Sequence, residues 1–233
     1  MLHGYLSFLS YSIPFLTKYP DITCENRSES CVNYDSPNTL KNWITDLKLF
    51  NESAFKLGLI GSSFFLGYLI GSVTLLRLPD WYGRKLIAIL SFVFVGTLSI
   101  CLYFVFSLNM LYLFLFFTGV FQVVWVSTTY VYLFELAGVN WKNTIHFYVF
   151  LCDGSCAILS AVSAYLLGDA RRILFIQAIL CVVMILMMVR LPESPKFLLQ
   201  KKWFFDLRAA FAYISCYNGQ TGATHFSSVE VLF

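Results

Sequence analysis

One acidic residue, Asp153, lies near the middle of a long apolar segment and is the first candidate for chemistry. The segment, about residues 144–168, contains no other Asp, Glu, Lys or Arg. A carboxylate in the hydrocarbon region of a membrane is costly, and such residues usually face the protein interior or water. Asp153 could bind a cation or relay a proton, or it could be a protonated, hydrogen-bonded structural acid. His146, Ser160 and Ser163 fall near the same helix face.

A second candidate is a polar and aromatic stripe in the apolar segment at about residues 110–134. Its members recur at steps of four or three residues, which places them on one face of a helix. They are Thr118, Gln122, Trp125, Thr129 and Tyr132. A lipid-facing helix has no use for such a stripe, so we expect it to face a cavity or another helix. Substrate contact and hydrogen bonding between helices are both compatible with the pattern.

A third candidate is the short polar stretch that ends the segment Gly71–Lys85. It contains an acid, a turn glycine and two adjacent basic residues between two apolar runs. Asp80 lies just before a predicted helix N-terminus, where negative charge is favourable. Gly83 allows the backbone conformation that turns the chain, and Arg84 can pair with a carboxylate. Such a polar connection is hard to explain in a soluble protein, and it is a plausible hinge in a multi-span carrier.

The composition indicates a membrane protein. Hydrophobic residues make up 58% of the chain and charged residues 12%, about half of the roughly 25% found in soluble domains. Residues 86–134 include no Asp, Glu, Lys or Arg. As one helix they would be roughly 70 Å long, far more than the bilayer core of about 30 Å. The segment must therefore fold back on itself, and residues 107–109 are the natural turn.

The apolar runs predict an all-α membrane protein with six transmembrane helices. Each run approaches the roughly 20 residues that a helix needs to cross a bilayer, except the first, which is shorter. The predicted spans are residues 1–17, 57–76, 86–106, 110–134, 144–168 and 173–189. In the second span, Ser63, Gly67 and Gly71 recur at every fourth residue. Small residues on one face let another helix approach closely.

The polar segment 18–56 is predicted to be an extracellular loop. It carries two glycosylation sequons, at Asn26 and Asn51, and two cysteines, Cys24 and Cys31. Together these features are typical of an oxidising, non-cytoplasmic compartment. We expect the two cysteines to form a disulfide, with two free thiols as the alternative.

The distribution of basic residues predicts the orientation. With residues 18–56 outside, seven Lys and Arg residues fall outside and nine inside, of 16 in total. The nine lie close to the ends of spans, where the positive-inside rule applies. We therefore expect a multi-pass protein, in the plasma membrane, with both termini cytoplasmic.

The chain divides into three predicted regions. Residues 1–190 form the six-span transmembrane part. Residues 191–219 form a cytoplasmic segment whose apolar spacing between Lys196 and Ile214 fits an amphipathic helix on the membrane surface. Residues 220–233 have no core to join and are predicted to be disordered.

Four motifs, in order along the chain, carry a resemblance to a known family. They are Leu78-Pro79-Asp80-Trp81-Tyr82-Gly83-Arg84-Lys85; Tyr132 with Glu135 and Lys142; Asp169-Ala170-Arg171; and Pro192-Glu193-Ser194-Pro195-Lys196-Phe197-Leu198-Leu199. Over roughly residues 1–219 the chain resembles the N-terminal half of a major facilitator superfamily transporter, closest to the organic-ion and sugar-porter branches. The last motif is the most specific of the four.

The resemblance implies one half of a fold that has twelve spans in two six-helix halves, with substrate near the midplane between them. It implies transport of a small organic solute by alternating access. The residues expected to face the substrate are Gln122, Trp125, Tyr130 and Asp153. The residues expected to form a cytoplasmic gate are Asp80, Gly83, Arg84, Lys85 and Glu135. An aromatic cleft with one acid favours an organic cation over a sugar-like solute.

A non-transporting membrane protein is the alternative. It would be a truncated product or half-transporter that acts as a receptor or partner subunit. The expected partners are membrane lipid, a small organic solute, and a second half or a subunit that supplies it. The net charge of +3 is too small and scattered to suggest nucleic acid. No metal-ligand set, nucleophile–base pair or phosphate-binding loop is evident, so we expect neither an enzyme nor a cofactor.

Overall fold

The computed structural model describes residues 7–20, 40–137 and 141–217, and these residues are helical with short connections. A single 3₁₀ turn covers Leu49–Asn51. In chain order the α-helices of the described residues are α1 (Phe8–Leu16), α2 (Trp43–Asp46), α3 (Ala54–Thr74), α4 (Leu78–Tyr82), α5 (Arg84–Tyr103), α6 (Leu108–Leu136), α7 (Lys142–Leu167), α8 (Arg172–Arg190), α9 (Pro195–Gln200) and α10 (Phe204–Tyr217).

Five of these helices are long and apolar enough to cross a membrane: α3, α5, α6, α7 and α8. They correspond to the second to sixth predicted spans, so that part of the prediction is confirmed. The first predicted span is represented by α1, which has nine residues and contains Pro14. At about 1.5 Å per residue α1 is too short to cross a bilayer. Residues 1–6, which precede it, lie outside the described part of the chain.

Short polar residues set the starts of several helices. The hydroxyls of Ser53 and Ser107 accept hydrogen bonds from backbone N–H groups in the first turns of α3 and α6. Asn42 and Thr45 form a reciprocal capping box at α2. These contacts satisfy N–H groups that have no partner within the helix. The Ser107 cap begins a new helix at this point, so the long apolar segment is divided into α5 and α6.

The backbones of α3 and α6 touch because both helices carry glycine at the crossing. A Cβ atom added at Gly67 would lie 2.0 Å from the Phe116 carbonyl oxygen. One added at Gly119 would lie 2.1 Å from the Phe64 carbonyl oxygen. The contact is therefore reciprocal, and no side chain fits between the helices. The predicted close approach along Gly67 and Gly71 is confirmed, with α6 as the partner.

The second part of the predicted loop packs onto the helices instead of standing away from them. Trp43 and Ile44 of α2 are fully buried. The Asn42 side-chain amide donates to the backbone carbonyls of Phe15 and Lys18, which fastens α2 to the end of α1. Polar composition alone had suggested a free loop across residues 18–56. The buried Trp43 shows that residues 40–51 contribute to the core.

The predicted single amphipathic helix from Lys196 to Ile214 is wrong in one respect, because the structure divides it into α9 and α10. Lys202 adopts a left-handed conformation with φ of 60°. The Trp203 N–H donates to the Leu198 carbonyl and the Lys202 N–H to the Leu199 carbonyl. This double hydrogen bond is the usual way of ending a helix with a left-handed residue. The turn folds α10 back so that Leu207 and Ala210 pack on Phe197 and Leu198 of α9.

Candidate functional site

A buried ion pair joins the start of α5 to the end of α6. Arg84 Nη1 pairs with Glu135 Oε2, and their side chains are 10% and 8% exposed. Arg84 Nη2 also lies 3.2 Å from Asp80 Oδ1 in α4, whose side chain is 57% exposed. Charges removed from water need partners, so the pair holds the two helix ends together. Three of the predicted gate residues are thus in one place.

The segment after α8 completes this group of charges. The Ser194 hydroxyl donates to Glu135 Oε2 at 2.5 Å. Glu193 Oε1 accepts hydrogen bonds at 3.0 Å from the backbone N–H groups of Lys85 and Ser194. We call Asp80, Arg84, Glu135, Glu193 and Ser194 the Arg84 cluster. It ties together the ends of α4, α5, α6 and α8, which are far apart in sequence.

The remaining contacts of this region also run to the segment after α8. The Lys85 ammonium donates to the carbonyls of Val189 and Leu191 at 2.9 and 2.6 Å. The Tyr132 hydroxyl donates to the Pro192 carbonyl at 2.5 Å. Sequence reasoning had not assigned Glu193 or Ser194 to the site. Their position directly after a span, in the most specific motif of the chain, was the available signal.

Gly83 joins α4 to α5 and has a conformation that other residues rarely adopt. Its φ is 107°. A Cβ atom there would lie 2.9 Å from Glu193 Oε2. Gly83 therefore provides both the turn and the space for the Glu193 carboxylate, as glycine does where the backbone closely approaches another group.

We expect Gly83→Ala to destabilise the protein more than Gly168→Ala. Gly168 also has a positive φ, of 62°, but nothing lies within 4 Å of an added Cβ. Alanine at Gly168 should lower the free energy of unfolding only by the cost of the left-handed backbone, about 1–2 kcal/mol. Alanine at Gly83 meets backbone strain of about 1–3 kcal/mol and also displaces Glu193. Thermal unfolding of the purified variants in detergent tests this order, and equal losses would contradict the role given to Glu193.

The mid-membrane acid Asp153 lies between α7 and α1. Its Oδ2 accepts a hydrogen bond of 2.8 Å from the Tyr11 hydroxyl. Two turns further along α7, Ser160 and Ser12 share a hydrogen bond of 2.9 Å. Asp153 is half-buried, and its carboxylate contacts α1. Tyr11 and Ser12 were not predicted, because nothing in the short first segment marked them.

Gln122 of α6 reaches the same part of α1. Its Nε2 donates to the Ser10 hydroxyl at 3.3 Å. Asp153 of α7 therefore contacts Tyr11, and Gln122 of α6 contacts Ser10. Ser10 and Tyr11 are adjacent residues of α1. This arrangement brings two of the four predicted substrate residues to a common polar region around residues 10–12.

The other two predicted substrate residues lie elsewhere. Trp125 is fully buried, and its ring stacks on Phe92 of α5 with 5.4 Å between ring centroids. It is a core residue between α5 and α6 in this structure. Tyr130 lies towards the end of α6, and its hydroxyl is 2.6 Å from His146 Nδ1 of α7. The stripe on α6 is buried as a whole, so that face meets other helices.

A second polar contact closes the opposite end of the helices. Asp46 of α2 and Arg171 before α8 pair at 2.7 Å, and the Arg171 guanidinium lies 5.3 Å from the centre of the Tyr103 ring. The Ala170 N–H donates to the Lys41 carbonyl at 2.8 Å. Burial raises the pKa of the Asp46 carboxyl, and the nearby Arg171 and Lys41 charges oppose that rise. These contacts fix residues 40–46 to the α7–α8 turn.

The predicted disulfide between Cys24 and Cys31 lies outside the described residues. The predicted glycosylation site at Asn26 also lies outside them. Asn51 is described and lies exposed in the 3₁₀ turn. Among the described residues, no group of three or more His, Cys, Asp or Glu side chains could hold a metal ion.

A family model described as sugar (and other) transporter matches residues 4–216 of the chain. A search of curated proteins finds no significant match.

Proposed function

The chain belongs to the sugar (and other) transporter family of the major facilitator superfamily, and we propose that it moves a small organic solute across a membrane by alternating access. The family is one of transporters rather than enzymes, and the five candidate spans make the protein a multi-pass membrane protein. An organic cation or a sugar-like molecule is the proposed solute class.

The observation that carries this proposal is the hydrogen-bonded Asp153 between α7 and α1. A mid-membrane carboxylate is costly and is typical of ion and substrate pathways. Gln122 of α6 is buried against the same part of α1, where it is proposed to support the polar region that binds the solute. A negative charge at this position favours an organic cation, and it is also suited to carrying a proton.

The Arg84 cluster is proposed to form a gate at the cytoplasmic end, and the proposed gate residues are Asp80, Gly83, Arg84, Lys85 and Glu135. Its support is geometric, because one buried ion pair, a more exposed one and several hydrogen bonds join the ends of four helices. The exposed Asn51 sequon lies at the opposite end. We propose that Asn51 is glycosylated, which would place the Arg84 cluster and both termini on the cytoplasmic side.

The faces of α3 and α7 support a role as one half of a larger transporter. In the apolar stretch that could cross the membrane, only 22% of the residues of α3 and of α7 are buried, against 50% for α6. A second six-helix half, as the family fold implies, would cover such faces and complete the solute site.

Uptake of labelled organic cations and sugars into proteoliposomes tests the function. We would compare the 233-residue chain with a form that carries a second six-helix half. Uptake by either form supports the proposal, and uptake by the longer form alone identifies this chain as half of the working unit. If neither form moves any of these solutes, the proposal is wrong.

We expect Asp153→Asn to reduce uptake by about tenfold or more, which corresponds to at least 1.4 kcal/mol of lost interaction. The amide keeps the size of the side chain and removes the charge, so a cationic solute loses its counterion. Initial uptake rates of labelled organic cations measure the effect.

Ser160→Ala is the matched control for that change. It removes the other hydrogen bond between α7 and α1 and leaves the carboxylate in place. Equal losses in the two variants would show that helix contact matters rather than the charge. Unchanged uptake in Asp153→Asn would overturn the role proposed for Asp153.

A further inference from the structure

Two neighbouring cavities follow α5 and α8, and neither is lined by a residue of the proposed solute site. The first is an apolar groove of about 350 Å³ between the two helices. Its walls include Val93 and Thr97 of α5 and Ile179 and Val182 of α8, all exposed. Between Phe92 and Ile100 the groove runs about 12 Å along α5, close to half of a bilayer core of about 30 Å.

The second cavity, of about 520 Å³, lies at the Arg84-cluster end of the same helices, beneath α10. On α8 the groove reaches Ile185 and this cavity begins at Val189, so about 6 Å separates them along the helix. An apolar groove that is followed along the same helices by a larger cavity with charged residues in its lining matches the acyl chain and headgroup of a phospholipid.

The polar groups of the second cavity define the headgroup. The Lys85 ammonium donates to the Val189 and Leu191 carbonyls, and Glu193 Oε1 accepts from two backbone N–H groups. Arg190 and Asp206 also line the cavity, and neither has a hydrogen bond or an ion pair to any other described residue. One available guanidinium and one available carboxylate match a ligand that carries both a phosphate and an ammonium.

The aromatic lining supports the same ligand. Tyr82, Trp203 and Tyr213 line the cavity and are exposed. Aromatic faces attract an ammonium or a quaternary ammonium group within about 6 Å of the ring centroid. Tyr and Trp are also typical of the membrane–water interface, where headgroups lie.

We propose that one zwitterionic phospholipid binds here, with an acyl chain in the α5–α8 groove, its phosphate on Arg190 and its ammonium at Asp206 and the aromatic rings. The residues that line both cavities belong to this chain. The test therefore requires neither the proposed solute nor transport.

The test is native mass spectrometry of the full 233-residue chain in detergent, titrated with palmitoyl-oleoyl phosphatidylcholine, phosphatidylethanolamine or phosphatidylglycerol. We expect one saturable lipid per chain, with either zwitterionic lipid bound about tenfold more tightly than the anionic one. Asp206→Asn should remove that preference, and Arg190→Gln should weaken all three lipids. Tightest binding of phosphatidylglycerol, or no saturable binding, would overturn the proposal.

Thr97→Trp tests the groove by filling it from an exposed position. Leu90→Trp is the matched control, since Leu90 is exposed on the same helix but does not line the groove. We expect Thr97→Trp to weaken binding of every lipid by about tenfold and Leu90→Trp to leave it unchanged. Thermal unfolding with and without added lipid provides a second readout that does not depend on ionisation. Equal behaviour of the two variants would show that the groove holds no acyl chain.

Discussion

Glu135→Gln is expected to destabilise the protein by about 3–5 kcal/mol, because it leaves the Arg84 guanidinium buried without its carboxylate. The Arg84 side chain is only 10% exposed, and its other partner, Asp80, is 57% exposed. Asp80 is therefore too well hydrated to replace Glu135. The loss also releases Ser194, whose hydroxyl donates to Glu135. Thermal unfolding of the purified protein in detergent measures the effect.

The double variant Arg84→Met with Glu135→Gln distinguishes an effect on stability from an effect on gating. Neutralising both partners removes the unpaired charge, and such replacements are often nearly neutral for stability. We expect the double variant to recover most of the stability but not the uptake, because α5 and α6 are no longer joined by an ion pair. Full recovery of uptake would show that the pair serves folding alone.

Glu52→Gln is the control at an exposed ion pair. Lys56 and Glu52 pair at 2.7 Å, but their side chains are 52% and 35% exposed. Exposed pairs contribute about 0–1 kcal/mol, so the loss should be small. A loss as large as that of Glu135→Gln would contradict the argument from burial.

The membrane spans could be predicted from the sequence because hydropathy and length are local properties. The predicted ends of the second to sixth spans fall within a few residues of the helices α3, α5, α6, α7 and α8. The predicted break near residues 107–109 is also close, since α6 begins at Leu108 with Ser107 as its cap. The end of α9 was missed because the apolar spacing continues across it, whereas Lys202 is turned by backbone hydrogen bonds.

The candidate site was predictable only in part, because it depends on which helices are neighbours. Arg84 was expected to pair with a carboxylate, and the structure identifies Glu135. Trp125 was placed correctly on the face of Gln122, but helical periodicity does not tell whether a face meets a cavity or another helix. Trp125 meets Phe92. Tyr11, the partner of Asp153, lies in a segment that composition marked only as apolar.

Gly119→Ala is expected to destabilise the protein by about 3 kcal/mol, at the upper end of the range for overpacked sites. The added Cβ would meet the backbone at Phe64 and Tyr68, at 2.1 and 2.9 Å. Backbone cannot move aside as a flexible side chain can, so α3 and α6 must separate along their whole contact. Thermal unfolding midpoints and the yield of monodisperse protein in detergent measure the loss.

Gly58→Ala and the double variant Gly67→Ala with Gly119→Ala make the argument specific. Nothing lies within 4 Å of a Cβ at Gly58, which is also in α3, so alanine there should be neutral or stabilising by up to about 1 kcal/mol.

Gly67 and Gly119 belong to one reciprocal contact. Once either alanine has separated the helices, the other costs little, so the double loss should be well below the sum of the single losses. Additive losses would mean that the two glycines act at separate places, and a wild-type midpoint for Gly119→Ala would mean that the backbones do not touch.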